Sequence, residues 1–178
     1  MQFDEKQKKE LLKHARRVLT GIVKDGKKIE ELPPDSCFLE KAGVFVSLHK
    51  NDELRGCVGY IEPIANVWDA VRDNAVSSST ADFRFEKVES EELDEIKIEI
   101  SILTPPTACA IDEIEQGKDG VIIEQGGRKA TYLPQVWESL NEPKQFFSSL
   151  CEKAGFGADC WQDKTTKFFR YNAIVFSE

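Results

Sequence analysis

An arginine, a thiol and two glycines share the short segment Leu54-Arg55-Gly56-Cys57-Val58-Gly59-Tyr60. Its composition reads as a β-strand, and strand side chains alternate between faces. That places Arg55, Cys57 and Gly59 on one face and Leu54, Gly56, Val58 and Tyr60 on the other. Same-face neighbours lie roughly 7 Å apart, so a guanidinium at 55 can lean over the thiol and favour its thiolate. A thiolate is a nucleophile or a ligand-binding group, which makes Cys57 and Arg55 the candidate catalytic pair. Glycine inside a strand marks close approach by a ligand or another backbone, so Gly56 and Gly59 are candidate ligand-binding positions. The plainer reading of Cys57 is a small buried hydrophobe. A base is hard to find. The two histidines are His14, on the polar side of a first helix, and His49, at the start of the turn before Leu54. His49 can fold near Cys57 through a hairpin.

Two further sets of polar residues are candidates. Asp82-Phe83-Arg84-Phe85 interleaves an ion pair with aromatics directly after a stretch of small residues, Ser77 to Thr80. Such a loop is either a positioned functional loop or an internal salt bridge closing over the core. Glu99 and Ser101 alternate with Ile96, Ile98, Ile100 and Ile102, so they line a polar cleft or face solvent. No P-loop, G-x-G-x-x-G, G-x-S-x-G or H-E-x-x-H pattern is present. No metal site is expected and no cofactor is named.

The elements that position these residues follow from periodicity. Asp4 caps a first helix, with Gln7 as capping-box partner and Leu11, Leu12, Ala15, Val18, Leu19, Ile22 and Val23 as its apolar stripe. Val44–Leu48 and Leu54–Ile61 form a hairpin about the polar turn at 50–53. Pro63 suits the first turn of a helix whose inward face is Val67, Trp68, Val71, Ala75 and Ser78. Ile96–Leu103 is the cleanest strand. Gly120–Glu124 and Lys129–Leu133 make a second hairpin, followed by a short helix after Pro134 and a longer one from Pro143 to Ala154. Phe168–Phe176 reads as one terminal strand. Hairpins with intervening helices indicate an α+β fold, a largely antiparallel mixed sheet flanked by helices.

The 178 residues suit one domain with its own core, open to division into two lobes. With 32 acidic against 24 basic residues the formal charge is −8, which argues against a phosphate-tracking surface. The basic run from Lys6 to Arg17 is the wet side of a helix, so nucleic acid is not an expected partner. No apolar stretch is long enough to span a bilayer, and the N-terminus lacks the apolar core of a signal peptide; a cytoplasmic location is expected. The five cysteines are odd in number and irregularly spaced. A disulfide framework and structural zinc are therefore not expected, with Cys151 read as core and Cys160 as packing.

At these residues the sequence resembles the AMMECR family (AMME chromosomal region gene one), also component A of AmmeMemoRadiSam systems. The signature is Leu54-Arg55-Gly56-Cys57-Val58-Gly59, where the family typically carries L-R-G-C-I-G. The likeness continues through Asn74-Ala75, Asp82-Phe83-Arg84-Phe85, Ile98–Pro106, Gly120-Val121-Ile122, Thr131–Trp137 and Leu150–Gly155. Phe83 departs from the proline of D-P-R-F, which puts the rigidity of that loop in question. The resemblance implies one domain over 1–178, built as two closely packed subdomains with a cleft at the 54–60 segment. It adds Asn74 to the candidate ligand-binding set of Gly56, Gly59, Asp82, Arg84 and Glu99. It also implies Memo-like and radical-SAM proteins as partners. Two functions compete: a small-molecule or partner-binding module, and an enzyme or enzyme subunit using Cys57 as nucleophile with Arg55 beside it.

Overall fold

The computed structural model describes residues 2–178 and divides the chain into two compact units. One comprises the chain up to Leu103 together with Ile174–Glu178; the other is Thr104–Ala173. The α+β expectation holds: four α-helices accompany two antiparallel sheets.

In the first unit, helix α1 (Glu5–Asp25) begins at the expected capping box, with Asp4 Oδ1 accepting the Gln7 N–H at 2.8 Å and Gln7 returning a bond to the Asp4 N–H. It ends at Gly26, whose φ of 63° supplies the left-handed cap. Strands β1 (Gly43–Lys50) and β2 (Glu53–Tyr60) form the hairpin, turning through Asn51 and Asp52, both at positive φ. Helix α2 (Val67–Thr80) starts later than Pro63 suggested, because the Asn66 side chain accepts the Asp69 N–H and serves as N-cap. Strand β3 (Ile96–Leu103) follows a segment with a short 3-10 turn at Ser90–Glu92.

Alternation on β1 and β3 sends Val44, Val46, Leu48, Ile98, Ile100 and Ile102 into a core shared with both helices, each nearly or wholly buried. His14 corrects its assignment to the polar side of α1. It is fully buried, its ring stacked 3.7 Å from that of Trp68, and burial pushes its pKa down to about 4. Burial disfavours the imidazolium, so the ring packs against Trp68 in its neutral form, one step beyond the apolar stripe.

The second unit holds β4 (Thr107–Cys109), β5 (Gly120–Gln125), β6 (Arg128–Tyr132) and β7 (Lys167–Tyr171) in the order β4-β7-β5-β6. Helices α3 (Val136–Ser139) and α4 (Pro143–Lys153) supply Trp137 and Phe146, whose rings stack at 3.5 Å over Val121 and Ile123. The expected single strand at Phe168–Phe176 is two. After Asn172 the chain enters β8 (Ala173–Ser177), which completes the first unit's sheet in the order β2-β1-β3-β8. Large apolar residues on both faces of that stretch thus serve two different cores.

A disulfide joins Cys151 and Cys160, against the expectation of reduced cysteines; Cys37, Cys57 and Cys109 are free. Gly155, at φ 77°, turns the chain after α4 so that Cys160 returns to the helix's last turn, a juxtaposition that the nine-residue spacing does not reveal. No described helix is long and apolar enough to cross a membrane.

The α2–β2 contact depends on a missing side chain. A Cβ at Gly56 would sit 2.2 Å from the Ser78 carbonyl oxygen, whereas one at Gly157 would meet nothing within 4 Å. Gly56→Ala is expected to lower unfolding stability by about 1–3 kcal/mol, and Gly157→Ala to stay within about 0.5 kcal/mol, in urea titrations of both variants.

Candidate functional site

Counting back from the two-residue turn, Lys50 pairs with Glu53 and His49 with Leu54, but Leu48 pairs with Gly56. Arg55 is the extra residue of a β-bulge, and bulges re-aim side chains. One consequence is that Ser47, not Val46, lies opposite Cys57, and its hydroxyl donates to Cys57 Sγ at 3.3 Å. Another is that Arg55 leaves the thiol. Its Nε and Nη2 grip the two carboxylate oxygens of Glu92 at 3.0 and 2.8 Å, and Nη1 and Nη2 donate to the carbonyls of Glu86 and Lys87. Arg55 holds Glu92 down to a pKa of about 2, assisted by the Glu89 N–H and Lys50. The expectation that Arg55 leans over the thiol is overturned by this register shift.

The cation at Cys57 is Arg84. Asp82 follows the end of α2 and is only 7% exposed. Its Oδ2 accepts the Cys57 N–H at 2.8 Å, and its two oxygens take Arg84 Nε at 2.9 Å and Nη2 at 2.7 Å. Arg84 Nη2 also donates to the Cys57 carbonyl at 3.0 Å. The Arg84 hydrogen bonds, joined by the Cys57 and Arg84 N–H groups, hold the Asp82 carboxyl down to a pKa of about 2. Arg84 is raised in turn, first by Asp82 and further by the Cys57 thiol. Phe83 stands between them 96% exposed, yet the loop is braced. Asp82 Oδ1 accepts the Arg84 N–H and the Asp82 carbonyl accepts the Phe85 N–H, a turn that needs no proline. Arg84 also lies over the Phe85 ring, 5.3 Å from its centroid.

The remaining candidates divide. Gly56 faces α2, and Asn74 is buried there, donating to the Val44 carbonyl at 3.0 Å; neither adjoins the thiol. Gly59 is on the thiol's face, but the Phe45 ring would lie 2.4 Å from a Cβ there, so its space is occupied. Glu99 pairs with Ser47 across the sheet, so Cys57, Ser47 and Glu99 form one row. Beyond it a cavity of about 260 Å³ is lined by His49, Lys97, Glu99 and Glu178 among others, and His49 Nε2 is buried there without a hydrogen-bond partner. Ser101 is buried, not solvated. The row is missed by reading β2 alone; the turn length gives the pairing to within one residue, and the bulge decides which.

Residues 12–176 match the AMMECR1 family. The chain belongs to that family. It is 39% identical to a protein of Methanopyrus kandleri over 94% of this chain and 86% of that one. A protein of Methanothermobacter thermautotrophicus is 38% identical over 94% of this chain and 92% of its own length. The crystal structure of an uncharacterised protein from Pyrococcus horikoshii superposes with a TM-score of 0.89 at 35% identity, covering 95% of this chain and 90% of that one. In this AMMECR1 chain Asp82, Arg84 and Cys57 form one hydrogen-bonded constellation.

Both depressed carboxylates favour the folded state above their ordinary pKa values of 3.8 and 4.5, and that contribution is lost as pH falls through about 2. Urea titrations are expected to show stability declining across this window. Asp82→Ala should lower stability by about 1–3 kcal/mol at neutral pH, since it leaves the Cys57 N–H without its acceptor and Arg84 without its carboxylate, and should flatten the acid decline.

Proposed function

We propose that this AMMECR1 protein is a small-molecule or partner-binding module whose centre is Cys57 with the Asp82–Arg84 loop, and that it works with Memo-like and radical-SAM proteins. One observation carries the reading: a guanidinium fixed by a buried carboxylate and by the carbonyl of the half-buried cysteine. Such a cation is already positioned before anything arrives, so little side-chain ordering opposes the capture of an anionic group. The exposed Phe83 ring next to it adds apolar area of the kind that anchors interfaces. Partnership with Memo-like and radical-SAM proteins is supported by family membership alone.

Paired alkylating agents test the centre. Anionic iodoacetate is expected to modify Cys57 faster, relative to neutral iodoacetamide, than it modifies Cys109, by several-fold for an attraction on the order of 1 kcal/mol. Cys37, pushed up to about 11 by burial and by Asp35, should lag with both reagents. Mass spectrometry reads the sites. Arg84→Gln should erase the preference, and an unchanged ratio in that variant would refute the anion-capturing centre.

A second reading makes Cys57 a nucleophile, favoured by the Ser47 hydroxyl on its sulfur and by His49 two positions along the same strand. Cys57→Ser separates the two. Retention of a co-expressed Memo-like or radical-SAM protein on the immobilised variant, at wild-type levels, is expected for a binding module. A retained complex together with lost turnover would instead establish the nucleophile.

A further inference from the structure

A cavity of about 260 Å³ lies within the second unit, far in sequence from Cys57 and lined by Thr107, Glu115, Lys118, Asp119, Arg170 and Asn172 among others. Its wall alternates in charge. Lys118 Nζ is 2.8 Å from Glu115 Oε2, and Arg170 Nη1 is 3.7 Å from Asp119 Oδ2. Asp119 is rigidly mounted. Its side chain is 5% exposed, Oδ2 accepts the Glu115 N–H at 2.9 Å, and Oδ1 accepts Asn172 Nδ2 at 2.9 Å. A carboxylate has about four acceptor positions, so these bonds orient Asp119 without exhausting it. Arg170 is anchored through Nη1 to the Glu113 carbonyl, which fixes the guanidinium while it lines the space.

These features select a ligand by elimination. A lone divalent cation meets Lys118 and Arg170, and a lone phosphate meets Glu115 and Asp119. An apolar molecule would strip water from four charged groups. The volume falls below the roughly 300–1,000 Å³ of sites that take drug-sized molecules. What remains is a small molecule carrying both charges close together. The exposed Lys118–Glu115 pair and the long Arg170–Asp119 contact are weak enough to admit such a molecule between their partners.

We propose that this cavity binds a free α-amino acid, its ammonium group on Asp119 and its carboxylate on Arg170 and Lys118. The site is separate from the Cys57 centre and does not depend on the function assigned there. A peptide end offers only one of the two charges, so a free amino acid is distinguished from either terminus of a chain.

Amide chemical shifts of the whole protein, titrated with L-alanine, L-alaninamide, N-acetyl-L-alanine and inorganic phosphate, test the proposal. L-Alanine at about 10 mM, enough to fill most of a millimolar site, is expected to move the amides of Thr104, Thr107, 115–119 and 170–172. The two masked forms should bind at least roughly tenfold more weakly. Arg170→Gln and, independently, the exposed Lys118→Gln should weaken L-alanine but leave L-alaninamide unchanged. No shifts with L-alanine, equal binding of a masked form, or equal saturation by phosphate would each overturn the proposal.

Discussion

The carboxylate of Asp82 is buried, and it is bound at once by the Cys57 N–H and by the Arg84 guanidinium. A buried carboxylate without partners is costly, so none of the three groups can leave without exposing the others to that cost. The bond therefore closes a circuit through the end of α2, the loop that follows it, and the outer strand β2. An edge strand exposes unpaired backbone groups; here a loop carboxylate covers one of them at the residue carrying the thiol. The same circuit fixes the cation's location.

Arg55 and Glu92 repeat the arrangement at the other end of the 82–92 segment, with Lys50 added. Two arginine–carboxylate pairs thus tie one irregular segment to the hairpin, one arginine coming from the strand and the other from the loop. Their roles are not interchangeable. Arg55 spends its donors on Glu92 and on the Glu86 and Lys87 carbonyls, which suits it to holding the segment down. Arg84 is nearly half exposed and keeps contact with Cys57, which suits it to meeting something from solvent.

Periodicity in the sequence was sufficient for α1 and its capping box, for the β1–β2 hairpin and for the isoleucine face of β3, because each depends on local chemistry or regular alternation. The division of Phe168–Phe176 between two sheets was not legible, since β7 and β8 bury similar side chains in different cores. The site was legible as a set of residues and misread as an arrangement. Strict alternation put Arg55 on the thiol; a single extra residue in β2 removed it and brought Ser47 opposite Cys57 instead. Arg84, two positions from Asp82, reads in sequence as a candidate ligand-binding residue or as half of a loop ion pair, and the linear pattern does not show that its partner carboxylate binds the β2 backbone at Cys57.

The glycines carry the last step. Gly56 admits the Ser78 carbonyl and Gly59 the Phe45 ring, so the close approaches they permit are made by the protein itself. Ser78 extends the point: its hydroxyl accepts the Val58 N–H and donates to the Val46 carbonyl, bridging the two strands at the position where they pair. With α2 pressed on one side of β2 and Phe45 beside Gly59 on the other, the glycines leave no space at the signature for a ligand to use. In the loop beside Cys57 the Arg84 guanidinium is partly open and the Phe83 ring is almost wholly so. Small residues make the signature compact; the loop after α2 gives it a surface.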